Sequence, residues 1–201
     1  MSRITIAPIV EGHGDEAALR GLLWRVWVEL LRGEHAEVLR PIRRSRGKFL
    51  LTEAGDLEKA VSLAFYKLAQ VSGKGLILIL VDAEDDCQKL GPLGPILLAR
   101  AKKARGDADI ACVIANVMYE TWFVAAAESL GKYLDLDAAL IPADPETDRC
   151  GKGWIKRWIK SGKYTETADQ AALTAAMDLQ QCRSRSRSFD KLCRELEARM
   201  A

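Results

Sequence analysis

Gly75-Leu76-Ile77-Leu78-Ile79-Leu80-Val81, running straight into Asp82-Ala83-Glu84-Asp85-Asp86, is the stretch on which the fold turns. An unbroken apolar run this short, rich in isoleucine and bounded by glycine and acids, reads as a strand buried on both faces, the habit of parallel sheets. Two further runs repeat the pattern. Residues 3–10 are strand-like and end in Glu11-Gly12, and residues 110–119 end in Glu120. Between them the apolar spacing turns helical: Leu19, Leu22, Leu23, Val26 and Leu30 predict a helix over 15–31, and Leu57, Ala60, Val61, Ala64, Phe65 and Leu68 another over 56–71. Helices are also expected over 92–104 and 122–130, and a weaker strand over 36–42.

The alternation β-α-β-α-β-α-β-α up to residue 131 predicts an α/β fold, a largely parallel sheet flanked by helices and joined by right-handed crossovers. Beyond residue 141 the character changes. A loop over 142–146, a short basic helix over 153–159 and mostly helical sequence from 169, interrupted at 183–188, predict a helical extension. The expected organisation is a core of residues 1–140 with an extension of 141–201 packed on it.

In an open parallel sheet, ligands bind beyond the carboxyl ends of the strands. Glu11, Asp82 and Glu120 should therefore meet at one edge, with Glu84 on the same face as Asp82 and Asp86 joining if the chain turns. Gathered carboxylates repel unless a hard cation neutralises them, so the pattern predicts a magnesium-type site. Each segment also has an ordinary reading. Glu11-Gly12 can be a plain turn capped by an acid, the 82–86 stretch a solvated loop, and Glu120 the start of the next helix.

The bulk numbers are compatible with one sizeable core: 201 residues, 22.2 kDa, 49% hydrophobic. A formal net charge of +2 gives no global attraction for nucleic acid, yet acids gather at 82–86 and bases at 40–48, 152–163 and 183–187. Arg43, Arg44, Arg46 and Lys48, which follow the second strand, and Lys156 and Lys163, around Trp154 and Trp158, are the candidates for gripping phosphates. The two tryptophans, four apart, read as core anchors, Trp24 and Trp27 as packed residues, and 183–188 as an exposed turn. Five cysteines without a CxxC pair suggest reduced thiols in a cytoplasmic protein. The N-terminus lacks the apolar core of a signal peptide, and no run approaches the length of a membrane span. No G-x-x-x-x-G-K-[ST] sequence occurs, which excludes a P-loop ATPase.

Val10-Glu11-Gly12-His13-Gly14-Asp15 resembles the E-G-x-x-D signature of Toprim domains, found in topoisomerases, bacterial primases and OLD-type nucleases, with the acids from Asp82 in the place of their D-x-D motif. More closely, the chain resembles the Toprim-like DUF4276 family through Val10-Glu11-Gly12, Leu80-Val81-Asp82, Tyr119-Glu120-Thr121-Trp122-Phe123, Pro145-Glu146, Tyr164 and Ser188-Phe189. The resemblance implies Glu11 and Asp82 as catalytic groups, Glu11, Asp82 and Glu84 as Mg²⁺ or Mn²⁺ ligands, and Asp15, Asp86 and Glu120 as supporting acids. It implies a metal-dependent nuclease acting on DNA or RNA, working with a separate ABC/SMC-like ATPase in antiviral defence. Two positions depart from the pattern: the second acid of D-x-D is Glu84, and Glu166 stands two residues beyond Tyr164 where a lysine is expected. Those departures suit the other expectation, a non-catalytic nucleic-acid-binding or regulatory subunit of such an ATPase complex.

Overall fold

Among the described residues, five strands form one sheet in which every pairing is parallel. In the computed structural model, which describes residues 3–50, 55–84 and 92–200, β1 (Arg3–Val10) is central. It pairs on one side with β4 (Gly75–Asp82), which in turn pairs with β5 (Ile110–Ala115). On its other side lie β2 (His35–Val38) and β3 (Ile42–Arg43), end to end. The chain leaves β1 toward β2 and later returns to β4 on the opposite flank. The strand order therefore reverses between β1 and β4, and a crevice opens there beyond the strand ends.

Alternation along the strands feeds two cores. Ile4, Ile6, Leu78, Leu80 and Val113 pack with α1 (His13–Arg25) and with the C-terminal helices, through residues such as Leu22, Trp122, Leu173 and Phe189. Ala7, Ile9, Ile77, Ile79 and Val81 pack beneath α3 (Asp56–Leu68) and α4 (Leu93–Ala104), through Leu57, Val61, Leu93 and Leu97. Each buried leucine or isoleucine stabilises the fold by about 1.5–3 kcal/mol, which is why the sheet, covered on both faces, tolerates almost no polar side chain. The C-terminal helices α7 (Glu166–Ala176), α8 (Leu179–Arg185) and α9 (Arg187–Glu197) share the first core with the sheet. The architecture is the expected α/β one, with a helical C-terminal region.

Several local expectations need correction. The strand expected over 36–42 is two pieces. Pro8 has no N–H to donate, and β1 residues of even number turn their backbone groups toward this flank, as the Leu39 N–H to Ile6 carbonyl bond of 2.9 Å shows. The ladder is interrupted at 39–41, where Pro8 has a carbonyl but no N–H to offer it. The strand expected over 110–119 stops at Ala115, and Glu120 opens the short helix α5 (Glu120–Ala125). The basic run 43–48 is not all loop, because α2 (Arg46–Leu50) begins within it. Trp27 is fully buried, but Trp24, off the 19–22–23–26 stripe, is 42% exposed.

The turn expected at 183–188 is only one residue long, and Ser186 and Ser188 are buried. Ser186 Oγ and Ser188 Oγ each donate to the Glu146 carboxylate at 2.7 Å, and the Ser188 N–H does so at 2.8 Å. Ser188 Oγ also accepts from Trp122 Nε1 at 2.8 Å and from the Asn116 N–H at 3.2 Å. This network ties α9 and the 142–150 loop to the segment leaving β5. Cys112, Cys182 and Cys193 are buried free thiols and Cys150 is half-buried. Among the described residues, no helix is long and apolar enough to cross a membrane.

Candidate active site

The crevice at the strand-order reversal is a cleft of about 270 Å³. Glu11 leaves β1 where Gly12 turns the chain into α1, and its Oε1 accepts the Asp82 N–H at 2.6 Å. One carboxylate thus bridges the ends of the two central strands. Asp82, the last residue of β4, receives the Tyr119 N–H on Oδ1 at 2.9 Å, and its Oδ2 makes no hydrogen bond among the described residues. Asp15, in the first turn of α1, accepts from the Gly12 N–H at 3.1 Å and from Gln170 Nε2 at 2.8 Å. Glu120, 3% exposed at the start of α5, accepts the Tyr164 hydroxyl at 3.0 Å.

Burial sets the electrostatics. Asp82 has a pKa well above the ordinary aspartate range, first because it is desolvated and then because Asp15, Glu11 and Glu120 carry like charge nearby. Glu11 is also raised, by burial, against the lowering effect of Arg46 and of the Asp82 N–H. Asp15 and Glu120 are raised by burial as well. Among the described residues, six carboxylates line the cleft (Glu11, Asp15, Asp82, Glu84, Glu120 and Glu166), against three cations, Arg43, Arg46 and Lys152. Fully ionised, the wall would carry a net charge of −3.

Two of those cations are already engaged. Arg46 Nη1 lies 2.9 and 3.1 Å from the two oxygens of Glu11 and 2.7 Å from the Asp82 carbonyl, Nη2 donates to the Ala83 carbonyl at 3.1 Å, and Nε faces Glu84 at 3.4 Å. Lys152, at the start of α6 (Lys152–Trp158), pairs with Glu166 at 2.6 Å. Burial works against the lysine's charge, but the Glu166 bond and the charge of Glu120 hold its pKa above the usual value.

The structure thus brings Glu11, Asp15, Asp82 and Glu120 to one cleft, with Glu84 at its lip in a left-handed backbone conformation, φ 44°. Asp86 lies outside the described residues. Of the expected phosphate-gripping residues, Arg43 and Arg46 line the cleft. Arg44 instead donates to the Arg43 carbonyl at 2.9 Å, and Lys48, Lys156 and Lys163 are exposed away from the cleft wall. Sequence reasoning did not assign Lys152, Glu166 and Gln170 to the site. A signal for Gln170 existed in Gly14, where a Cβ would sit 1.9 Å from Gln170 Oε1, so glycine is what lets α7 cross the first turn of α1.

The donor set has the chemistry of a hard-cation site: oxygen ligands only, buried, mutually repelling, one oxygen of Asp82 uncommitted. As the side chains stand, no three His, Cys, Asp or Glu among the described residues are arranged to hold a metal ion, and the guanidinium of Arg46 is the positive charge in contact with Glu11. Small side-chain rotations, rather than a ready-made cage, would be needed to bind one.

A family model described as "Domain of unknown function (DUF4276)" matches residues 10–197, and the chain belongs to that family. Nothing matches it among curated proteins or among solved structures.

Proposed function

We propose that the cleft is the active site of a Mg²⁺-dependent, Toprim-like nuclease hydrolysing phosphodiester bonds in DNA or RNA. The observation that carries this reading is the gathering of four buried or half-buried carboxylates from three stretches of chain at the strand-order reversal, their charge only partly offset by neighbouring cations. Burying like charges costs stability, and proteins keep such arrangements where the charge is used. Asp82 and Glu120 would hold the ion beside Glu11, and Asp15 would buttress them from its bonds to Gly12 and Gln170. A bound divalent ion supplies Lewis-acid activation of water and neutralises charge developing on the phosphate. Glu11, raised in pKa and anchored on the Asp82 N–H, would take a proton from an attacking water. Arg43 and Lys152, which both line the cleft, would orient the phosphate. By the same reading the nuclease acts as the effector of a separate ABC/SMC-like ATPase in antiviral defence.

One observation favours the second reading, a non-catalytic nucleic-acid-binding or regulatory subunit: Arg46 already neutralises Glu11, and Glu166 pairs with the lysine that would otherwise face substrate. Cleavage assays on single- and double-stranded DNA and RNA with Mg²⁺ or Mn²⁺, comparing the wild type with Glu11→Gln and Asp82→Asn, separate the two. The nuclease reading expects metal-dependent cleavage lost in both variants. Cleavage that survives both places the chemistry elsewhere, and binding without cleavage under every condition favours the second reading.

A further inference from the structure

Resting on the metal-dependent reading above, we infer that Arg46 is a built-in counter-cation that occupies the Glu11 side of the cleft, so that the site takes one divalent ion per chain, on the Asp82–Glu120 side, rather than two. Arg46 is not a surface arginine that happens to meet an acid. Its guanidinium is in contact with both oxygens of Glu11, the carbonyls of Asp82 and Ala83, and the Glu84 carboxylate. Those acceptors belong to the ends of β1 and β4, the backbone that frames the cleft. Its side chain is only 19% exposed, and it is the first residue of α2, whose backbone follows β3 directly along the sheet edge.

A guanidinium stays charged at any pH the fold survives, and its planar fork suits a carboxylate and adjacent carbonyls better than a point charge does. A second divalent ion on Glu11 would have to displace these bonds or bear close repulsion from a fixed positive charge. On the other side of Asp82, among the described residues, no ion pair joins a cation to the acids: Asp82 is bonded there by the Tyr119 N–H and Glu120 by the Tyr164 hydroxyl, both neutral donors. Lys152, whose charge acts on Glu120, is engaged by Glu166. One divalent ion added to one guanidinium gives the cleft the number of positive charges that two-ion sites carry less one.

The test titrates the full-length protein with Mn²⁺ alone, reading stoichiometry by calorimetry and by loss of the free-ion paramagnetic signal. One ion per wild-type chain is expected. Arg46→Ala should bind a second ion, or bind the first on the order of tenfold more tightly, because a nearby unit charge no longer repels it. Arg46→Lys, which keeps the charge and guards against a misfolded alanine variant, should remain at one ion. Two ions in the wild type would overturn the inference while leaving the metal reading intact. No binding at all would overturn the metal reading itself. An alanine variant that folds, by its far-ultraviolet spectrum, yet matches the wild type in stoichiometry and affinity would show that Arg46 does not set the ion count.

Discussion

Replacing Asp82 with asparagine should make the metal-free protein more stable and at the same time remove its response to Mg²⁺. Asparagine keeps an oxygen for the Tyr119 N–H and puts an amide donor where a buried charge faced Asp15, Glu11 and Glu120. The sign follows from linkage. A carboxyl whose pKa is raised in the folded state binds protons there that the unfolded chain has released, so stability falls as pH rises above the ordinary value of 3.8. Below that value the group is protonated in both states and contributes nothing. Relieving functional strain of this kind commonly gains about 0.5–2 kcal/mol. At about 2–4 °C per kcal/mol for a chain of this size, the melting temperature should rise by about 1–8 °C near neutral pH. Thermal melts from about pH 8 down to about pH 4 should show the gain shrinking as the medium is acidified. In the wild type, Mg²⁺ at a hundredfold excess over its dissociation constant should add about 2.7 kcal/mol, and in Asp82→Asn that increment should vanish. A variant less stable than the wild type without metal at neutral pH, or one whose gain is independent of pH, would refute the argument that uncompensated charge is stored at Asp82.

Gly14→Ala should destabilise by about 1–3 kcal/mol, since its methyl group would collide with Gln170, whereas Gly21→Ala, on the same helix with nothing within 4 Å, should stabilise by about 0.5–1 kcal/mol; paired chemical denaturation checks both. Ser188→Ala leaves the buried Trp122 indole N–H without its acceptor and should cost about 1–3 kcal/mol, read as a shift in the urea midpoint with an unchanged slope. Lys152→Met removes a half-exposed ion pair and should alter stability by under about 1 kcal/mol, yet it should lower the salt dependence of nucleic-acid binding by about one phosphate contact. An unchanged salt slope would place Lys152 off the path of the substrate.

The central strands and the two acids at their ends were legible because both depend on local pattern. β1 and β4 are continuous apolar runs, and Glu11 and Asp82 end them within a residue. Glu120 was identified for a partly mistaken reason. The apolar run continues past Ala115, so a pattern reading extends β5, whereas the backbone has already turned and presents the Tyr119 N–H to Asp82. Periodicity cannot register such a turn, because Val117 and Tyr119 stay buried in either conformation. The division of 36–42 was readable in principle from Pro8, but only once its neighbour across the sheet was known. Arg46 looked like one of several loose arginines. Its place against Glu11 depends on α2 starting at that residue, and no local signal marks where a helix this short begins. Lys152, Glu166 and Gln170 sit on helices whose own sequences are unremarkable, and long-range packing alone aims them at the cleft.

The bond between Asp15 and Gln170 joins residues 155 apart in the chain. During synthesis, the acids of the first βα turn leave the ribosome long before the helix that closes over them. A nascent or prematurely ended chain therefore displays the charged edge without its far wall, and a competent cleft can exist only after the segment carrying Gln170 has emerged. If the cleft is the nuclease site proposed above, such late completion would keep unfinished copies harmless.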